Sequence, residues 1–163
     1  MFKKHPRGLA VLFYTEMWER FGFYILMAIL TLYMEKEFGW DDSTKGDYYG
    51  WFLGAVYFIP FLGGYLGDKI LGQLSTVKVG AFIMTAGYVL LALSNKNHVT
   101  LFVVGLFFVA FGTGIFKVNM SVLVGNLYQE SVAQRDAGFN IYYMGVNIGA
   151  AVAPLASTLF FTL

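Results

Sequence analysis

The sequence predicts an all-α, polytopic membrane protein, and three observations support this fold class: an apolar composition, few charges and five long apolar segments. Of the 163 residues, 58% are hydrophobic, 19% are aromatic and 13% are charged. A soluble domain of this length could not bury so much apolar surface. The net charge of +1, without a basic run, indicates no nucleic-acid partner. The absence of cysteine excludes disulfides, thiolate metal sites and cysteine catalysis.

Each apolar segment is long enough to cross a hydrocarbon core of about 30 Å as a helix. The first has a basic start like a signal peptide, but charges interrupt its apolar part and no small-residue cleavage site follows. We therefore expect it to be retained as a helix. An acidic loop, EKEFGWDDSTKGD, follows at residues 35–47. The predicted spans cover approximately residues 8–34, 48–71, 76–94, 99–123 and 139–163.

Basic residues near the ends of the spans indicate the orientation of the chain. Lys3, Lys4 and Arg7 precede the first span, and cytoplasmic segments of membrane proteins carry an excess of Lys and Arg. We expect a multi-pass protein with a cytoplasmic N-terminus. Short loops without a targeting segment favour a bacterial inner (plasma) membrane. The apolar run that ends at Leu163 and the odd number of spans predict a truncated chain.

The stretch EMWERFGFY places Glu16, Glu19 and Arg20 inside the first apolar segment. An ionisable residue near the centre of a span costs roughly 2.5 to 3.5 kcal/mol, so these side chains should not face lipid. In a helix they share one face with Phe23 and Met27. Either this face is a buried ion network that fixes packing, or its surplus carboxylate exchanges a proton, as a proton-coupled device requires.

A further cation lies inside the fourth apolar segment. Lys117, in GTGIFKVNMSVLVG, shares a helix face with Thr113 and Ser121 by i,i+4 spacing. A lysine at that depth must be paired, hydrated or neutral. The alternative is that Lys117 marks the cytoplasmic end of the span and extends its ammonium group to the interface.

The fifth segment has two different faces when it is projected as a helix. Its glycine face suits close contact with another helix, and its asparagine face suits a cavity, although a buried Asn can equally form an interhelical hydrogen bond. Pro60 and Pro154 can bend helices 2 and 5. The glycine face contains Gly138, Gly145 and Gly149, and the asparagine face contains Asn140, Tyr143, Met144 and Asn147.

Four short motifs follow one another along the chain. EMWERF with Tyr24 fits the pattern ExxERFxxY in helix 1, and GGYLGDKILGQLSTV follows helix 2. GIFKVN lies in helix 4 and FNIYYMGVNIG in helix 5. In this order they resemble the motifs of the proton-dependent oligopeptide transporter family, within the major facilitator superfamily. Each motif alone is weak evidence, but together they are highly specific.

The resemblance implies a transporter of two six-helix halves that works by alternating access. Residues 1–163 would supply helices 1 to 5 of the N-terminal half, and the C-terminal half of the same chain would complete the cavity. The implied activity is proton-coupled symport of di- and tripeptides. Its partners are small peptides, protons and the lipid bilayer, and it needs no cofactor. An enzyme or a metal site is not expected, because no nucleophile and base have a catalytic spacing and His5 and His98 lie far apart.

The resemblance also assigns a coupling role to four residues by position. Glu16, Glu19 and Arg20 resemble the family's proton-coupling cluster. Lys117 resembles the helix 4 lysine that pairs with this cluster and approaches the carboxylate of the peptide. A proton on a carboxyl would free Lys117 to bind the negative end of the substrate, and loss of the proton would restore the ion pair.

Other positions resemble substrate contacts or a conformational latch. Tyr24, Tyr57 and Asn147, together with the coupling lysine, resemble substrate-binding residues. Asp68 and Lys69, in the loop after helix 2, resemble a latch that forms in one conformation. For these two residues, an ordinary charged turn at the cytoplasmic interface is the alternative.

Three positions depart from the family pattern and leave other functions open. Met27 stands where many members have an arginine or a glutamine that binds a carboxylate, Phe23 stands where a tyrosine is frequent, and Val118 replaces the usual proline. Met27 removes a cation from the expected carboxylate site. The alternatives are a transporter of nitrate or another small anion in the same family, and a helical membrane scaffold that transports nothing.

Overall fold

In a computed structural model, the chain is helical over most of the residues that the structure describes, 2–129 and 132–161. A 3-10 turn at Phe2–Lys4 precedes the first long helix, and a π-helical turn at Gly67–Leu71 follows the second. No strand occurs within the described ranges, so the prediction of an all-α protein is confirmed. The five long helices are α1 (Arg7–Phe38), α2 (Asp42–Leu66), α3 (Gln73–Leu93), α4 (Val99–Asn126) and α5 (Val132–Phe161).

The largest difference between the predicted and the observed helix boundaries is at the predicted acidic loop, residues 35–47. Residues 35–38 continue α1 and residues 42–47 already belong to α2, so only three residues separate the two helices. Gly39, with φ of 65°, ends α1 in a conformation that favours glycine. Asp41 caps α2 by accepting a 3.1 Å hydrogen bond from the Thr44 backbone amide. Hydropathy marks the apolar part of a helix, whereas the caps decide where its polar turns end.

The other helices also extend beyond the predicted spans. α4 continues to Asn126 and α5 begins at Val132, seven residues before the start predicted at 139. These additional turns are polar and therefore escape a hydropathy criterion. The prediction about the end at Leu163 lies outside the described residues.

Three helical segments of the described chain are long and apolar enough to cross a membrane: Asp42–Leu71, Gln73–Leu93 and Val99–Asn126. α1 and α5 have 32 and 30 residues but a more polar composition. In α1, the charges of the EMWERF motif interrupt the apolar stretch. That α1 and α5 also cross the membrane stays a prediction.

The chain divides into two compact units. The terminal unit comprises Met1–Leu30 and Ser121–Leu163, and the middle unit comprises Thr31–Met120. The terminal unit thus contains most of α1, the last turns of α4 and all of α5. The middle unit contains the end of α1, α2, α3 and most of α4.

In the terminal unit, the glycine face of α5 packs against α1. A methyl group added at Gly145 would lie 2.9 Å from the Phe13 carbonyl oxygen. At Gly149 it would overlap the Met17 carbonyl oxygen and approach the Arg20 Cβ atom to 3.2 Å. The backbones of α1 and α5 can approach this closely only where side chains are absent. The predicted role of this glycine face is therefore confirmed.

In the middle unit, glycines also bring α4 close to its neighbours. A methyl group at Gly112 would lie 2.6 Å from the Met84 backbone nitrogen in α3. The buried Asn119 of α4 donates 2.8 Å hydrogen bonds to the carbonyl oxygens of Gly63 in α2 and Ile115 in its own helix. An interhelical hydrogen bond in an apolar region satisfies polar groups that lipid cannot satisfy.

Candidate functional site

The charged motif of α1 folds into a buried cluster in the terminal unit. Glu16, Glu19 and Arg20 expose only 1%, 8% and 3% of their surface. Arg20 binds Glu19 with two of its nitrogens, Nε to Oε2 and Nη2 to Oε1, the latter at 2.7 Å. The Arg20 Nε atom lies 3.5 Å from Glu16 Oε1, one helical turn away. The structure thus brings together the three residues that the sequence predicted to share a face.

An aromatic ring completes the immediate surroundings of the guanidinium. The Arg20 Cζ atom lies 4.9 Å from the centroid of the Phe23 ring, within the range of a cation–π contact. A planar guanidinium can hold a carboxylate with two parallel bonds while its face rests on a ring. Phe23, at i+3 from Arg20, lies on the predicted face and can therefore make this contact.

Helices α5 and α4 add two hydroxyl groups to the cluster. Tyr142, which is 1% exposed, lies near Glu16 of α1 and Ser121 of α4 and interacts with both electrostatically. All three side chains belong to the terminal unit. The Glu16 carboxyl therefore lies near a cation on its own helix and near a buried tyrosine on α5.

Sequence reasoning missed Tyr142. It considered the neighbouring Tyr143, which lies on the asparagine face and is half exposed. A signal was present, because Tyr142 is four residues after Gly138 and three before Gly145 and therefore lies on the face predicted to pack closely. A tyrosine buried at a helix contact needs a partner for its hydroxyl.

The predicted substrate contacts have accessible side chains. In the terminal unit, Tyr24 of α1 is 38% exposed and Asn147 of α5 is exposed. In the middle unit, Tyr57 of α2 is 72% exposed and Lys117 of α4 is exposed as well. α4 continues for more than two turns beyond Lys117, which weakens the alternative that this lysine marks the end of the span.

The predicted latch residues lie in the π-helical turn after α2. Asp68 and Lys69 are both exposed, and the turn ends at Gly72, whose φ of 76° favours glycine. Asp68 Oδ1 accepts a 3.1 Å hydrogen bond from Gln73 Nε2 at the start of α3. In this conformation, Asp68 thus connects the π-helical turn to α3.

The described residues contain no group of three or more His, Cys, Asp or Glu side chains that could hold a metal ion. His5, one of the two histidines, lies 2.8 Å from the Tyr128 hydroxyl through its Nδ1 atom. Burial raises the pKa of Tyr128 above its usual value.

A family model described as PTR2, POT family, matches residues 74–161, which is more than half of the chain. The chain belongs to the POT family. The predicted resemblance is thereby confirmed, and with it the helical transporter fold. The model also covers two of the motifs singled out in the sequence, in α4 and α5.

Curated relatives extend this similarity to the other motifs. Dipeptide and tripeptide permease A of Chromobacterium violaceum is 38% identical over 154 residues, which are 94% of this chain and 31% of that protein. Peptide transporter YePEPT of Yersinia enterocolitica is 40% identical over 158 residues, which are also 94% of this chain and 31% of that protein. These POT relatives are transporters, not enzymes.

A solved structure agrees with the described fold. A POT family transporter in complex with a thioalcohol-conjugated peptide is 35% identical to this chain, with a TM-score of 0.91. The match covers 98% of this chain and 33% of that one. The chain thus spans about a third of the length of the relatives and solved structures that it matches.

Proposed function

We propose that the protein carrying this chain is a proton-coupled symporter of di- and tripeptides that works by alternating access. The observation that carries the proposal is the buried cluster of Glu16, Glu19 and Arg20 in α1. Membership of the POT family and the peptide-transport names of the relatives give the class of substrate. The N-terminal half would form one wall of the cavity, and a C-terminal half of the same chain would form the other.

The cluster has the chemistry that proton coupling requires. Two carboxylates contact one guanidinium in a region shielded from water. Like charges at short range disfavour simultaneous ionisation, so uptake of one proton relieves the repulsion between Glu16 and Glu19. We infer that one of these carboxyls carries the transported proton.

Lys117 would connect the proton to the substrate. In this scheme its ammonium group pairs with the ionised cluster in one state and with the carboxylate of the peptide in the other. Its place inside α4 and its exposed side chain support an alternating role. Tyr24, Tyr57 and Asn147, which are also exposed, would contact the peptide, and Asp68 and Lys69 would act as the latch.

We further propose an inner (plasma) membrane location with a cytoplasmic N-terminus. Lys4 before α1 and Arg7 at its first residue support this orientation, because cytoplasmic ends carry most Lys and Arg. Lys69 and Lys78, around the connection between α2 and α3, lie on the same side if each helix crosses once.

The test is uptake by the natural full-length protein in liposomes. A proton gradient alone should drive accumulation of a labelled dipeptide, and dissipating the gradient should stop it. Glu19→Gln should abolish gradient-driven accumulation while the protein remains folded, because the bidentate partner of Arg20 can no longer ionise.

A matched control lies on the same helix. Glu35→Gln makes the same chemical change at an exposed position whose carboxylate pairs with Lys45, and it should leave uptake unchanged. Accumulation that ignores the gradient, or none for any small peptide, would contradict the proposal. Normal uptake by Glu19→Gln with impaired assembly would favour a scaffold role.

Met27 leaves one alternative cargo open, because it removes a cation from the site expected to bind the carboxylate of a peptide. This apolar side chain lies one turn after Tyr24 on α1, at a position where a cation would bind a carboxylate. Competition in the same liposomes separates the two cargoes. Inhibition of uptake by dipeptides supports peptide transport, whereas inhibition by nitrate and not by dipeptides would transfer the function to a small anion.

A further inference from the structure

The π-helical turn Gly67–Leu71 of the middle unit is buried at one point. Every residue of this turn is described, and among them Gly67 alone is buried, whereas the proposed latch residues Asp68 and Lys69 are exposed. Turns of π-helix are rare and occur frequently at functional sites. A contact that fixes this turn to the interior of the middle unit must therefore act at Gly67.

The side chain that contacts Gly67 is Asn119 of α4. Its Nδ2 atom donates 2.8 Å hydrogen bonds to two carbonyl oxygens, those of Gly63 in α2 and Ile115 in α4. These two acceptors fix the orientation of the amide, because only its NH2 group can donate. The Oδ1 atom therefore points the other way, and it lies where a residue other than glycine at position 67 would have its Cβ atom.

The fit between Asn119 and Gly67 leaves no space for a side chain. A methyl group added at Gly67 would overlap Oδ1 and lie 2.7 Å from the Cγ atom of Asn119. Asn119 is 1% exposed, and its Oδ1 atom accepts no conventional hydrogen bond from the residues that the structure describes. Because glycine has a hydrogen in place of Cβ, a Cα–H bond of Gly67 points at Oδ1 and offers it a weak contact. The amide is thus placed to fit the backbone of the turn.

We propose that Asn119 is a positioning residue for the latch: its amide, fitted against Gly67, holds the π-helical turn in the shape in which Asp68 accepts a hydrogen bond from Gln73 of α3. This inference rests on the proposed latch role of Asp68 and adds the residue that sets its geometry. Helix α4 then carries the coupling residue Lys117 and, two residues later, the residue that fixes the latch.

The test is backbone hydrogen exchange across residues 67–73 in the natural full-length protein, without substrate. Gly67→Ala should speed exchange in this segment by about tenfold, because its methyl group displaces the amide and the turn opens more often. Asn119→Ala should also speed exchange, because it removes both hydrogen bonds. In the double variant the methyl group occupies space that the amide has left. Adding Gly67→Ala to Asn119→Ala should therefore have no further effect.

Two neighbouring glycines of α2 provide matched controls. Gly64→Ala places its methyl group 4.0 Å from the Val118 Cγ2 atom, an ordinary contact, and should leave exchange across the turn unchanged. Gly63→Ala places its methyl group 2.6 Å from the Ile115 Cα atom and must separate α2 from α4. Its effect should persist when Asn119→Ala is added, because the clash is with the backbone of α4.

Uptake kinetics distinguish positioning of the latch from a general loss of stability. In gradient-driven uptake of a dipeptide, Gly67→Ala should lower kcat and leave KM unchanged, because the turn contains no proposed substrate contact. The double variant should match Asn119→Ala in kcat. If Gly67→Ala does not fold, recovery of folded protein in the double variant is the expected result.

Three results would overturn the inference. They are unchanged exchange across the turn in both single variants, independent effects of Gly67→Ala and Asn119→Ala that multiply in the double variant, and an equal response in Gly64→Ala. The exchange experiment needs no cargo, so it decides the role of Asn119 even if the full-length protein transports no peptide. A negative exchange result would leave gradient-driven uptake standing.

Discussion

Each unit of the chain contains a cation that lies between two carboxylates, and the two sites differ in burial. In the terminal unit, Arg20 contacts Glu16 and Glu19 with all three side chains almost fully buried. In the middle unit, Lys45 contacts Glu35 at 2.7 Å and Asp42 at 2.8 Å at the exposed start of α2.

The difference in burial indicates a difference in role. An exposed ion pair contributes little to stability because water and salt screen it. A buried cluster costs desolvation energy that its own attraction barely repays, so it is poor evidence for a stabilising device. A largely apolar helix that nevertheless keeps three buried charges points to function.

The largest effect is expected from removing the buried cation. Arg20→Met leaves two carboxylates in a region shielded from water and should lower the free energy of unfolding by about 3 to 5 kcal/mol at neutral pH. Lowering the pH should recover part of the loss, because protonated carboxyls need no cation. Denaturant unfolding of the full-length protein at two pH values measures both.

Lys45→Met is the corresponding change in the middle unit, since it also removes a cation from between two carboxylates. Its effect on unfolding should be far smaller than that of Arg20→Met. Equal losses in the two variants would show that the burial of the α1 cluster does not decide its energetics.

A smaller effect is expected from filling a close helix contact in the middle unit. Gly112→Ala places a methyl group 2.6 Å from the Met84 backbone nitrogen, so α3 and α4 must separate. Overpacking of this kind costs about 1 to 3 kcal/mol. The melting temperature in detergent should fall accordingly.

Gly46→Ala is the control for that experiment. Gly46 lies in the first turns of α2, and a methyl group there has open space. Because alanine has a higher helix propensity than glycine, Gly46→Ala should stabilise the protein by up to about 1 kcal/mol. A decrease of similar size in both variants would mean that helix separation is not the cause.

The smallest effect is expected at the cap of α2. Hydrogen bonding from the Thr44 side chain and backbone amide lowers the pKa of Asp41 below its usual value. This lowered pKa means that the cap stabilises the fold above the ordinary pKa of the unfolded carboxyl. The contribution is lost as the pH falls through the folded-state pKa.

Two variants at Asp41 separate capping from charge. Asp41→Ala should lower the melting temperature slightly at neutral pH, and its difference from the wild type should shrink as the pH falls into the acidic range. Asp41→Asn should retain the cap without this pH dependence, because Asn is an equally good N-cap. A pH-independent difference for Asp41→Ala would contradict the charged cap.

The amino-acid sequence determined the helical membrane class, the five long helices and the shared face of Glu16, Glu19 and Arg20. The reason is that hydropathy and helical spacing are local properties of the chain. The close contact made by the glycine face of α5 could also be predicted, because small residues at helical spacing in an apolar segment are typical of helix–helix contacts.

Only the tertiary structure decided which side chains from other helices lie near the charged face of α1, which contains Glu16, Glu19 and Arg20. Tyr142 and Ser121 are distant from Glu16 along the chain, and which helices approach each other depends on packing. The tertiary structure also decided where the polar ends of the helices lie. A long loop was predicted between α1 and α2, but Gly39 ends α1 and Asp41 caps α2, so the connection is short. A helix cap depends on one hydrogen bond or one φ angle, and neither can be predicted from the hydropathy of a segment. Tyr142 lies near Glu16 because α5 lacks side chains at Gly145 and Gly149 and can therefore approach α1 closely.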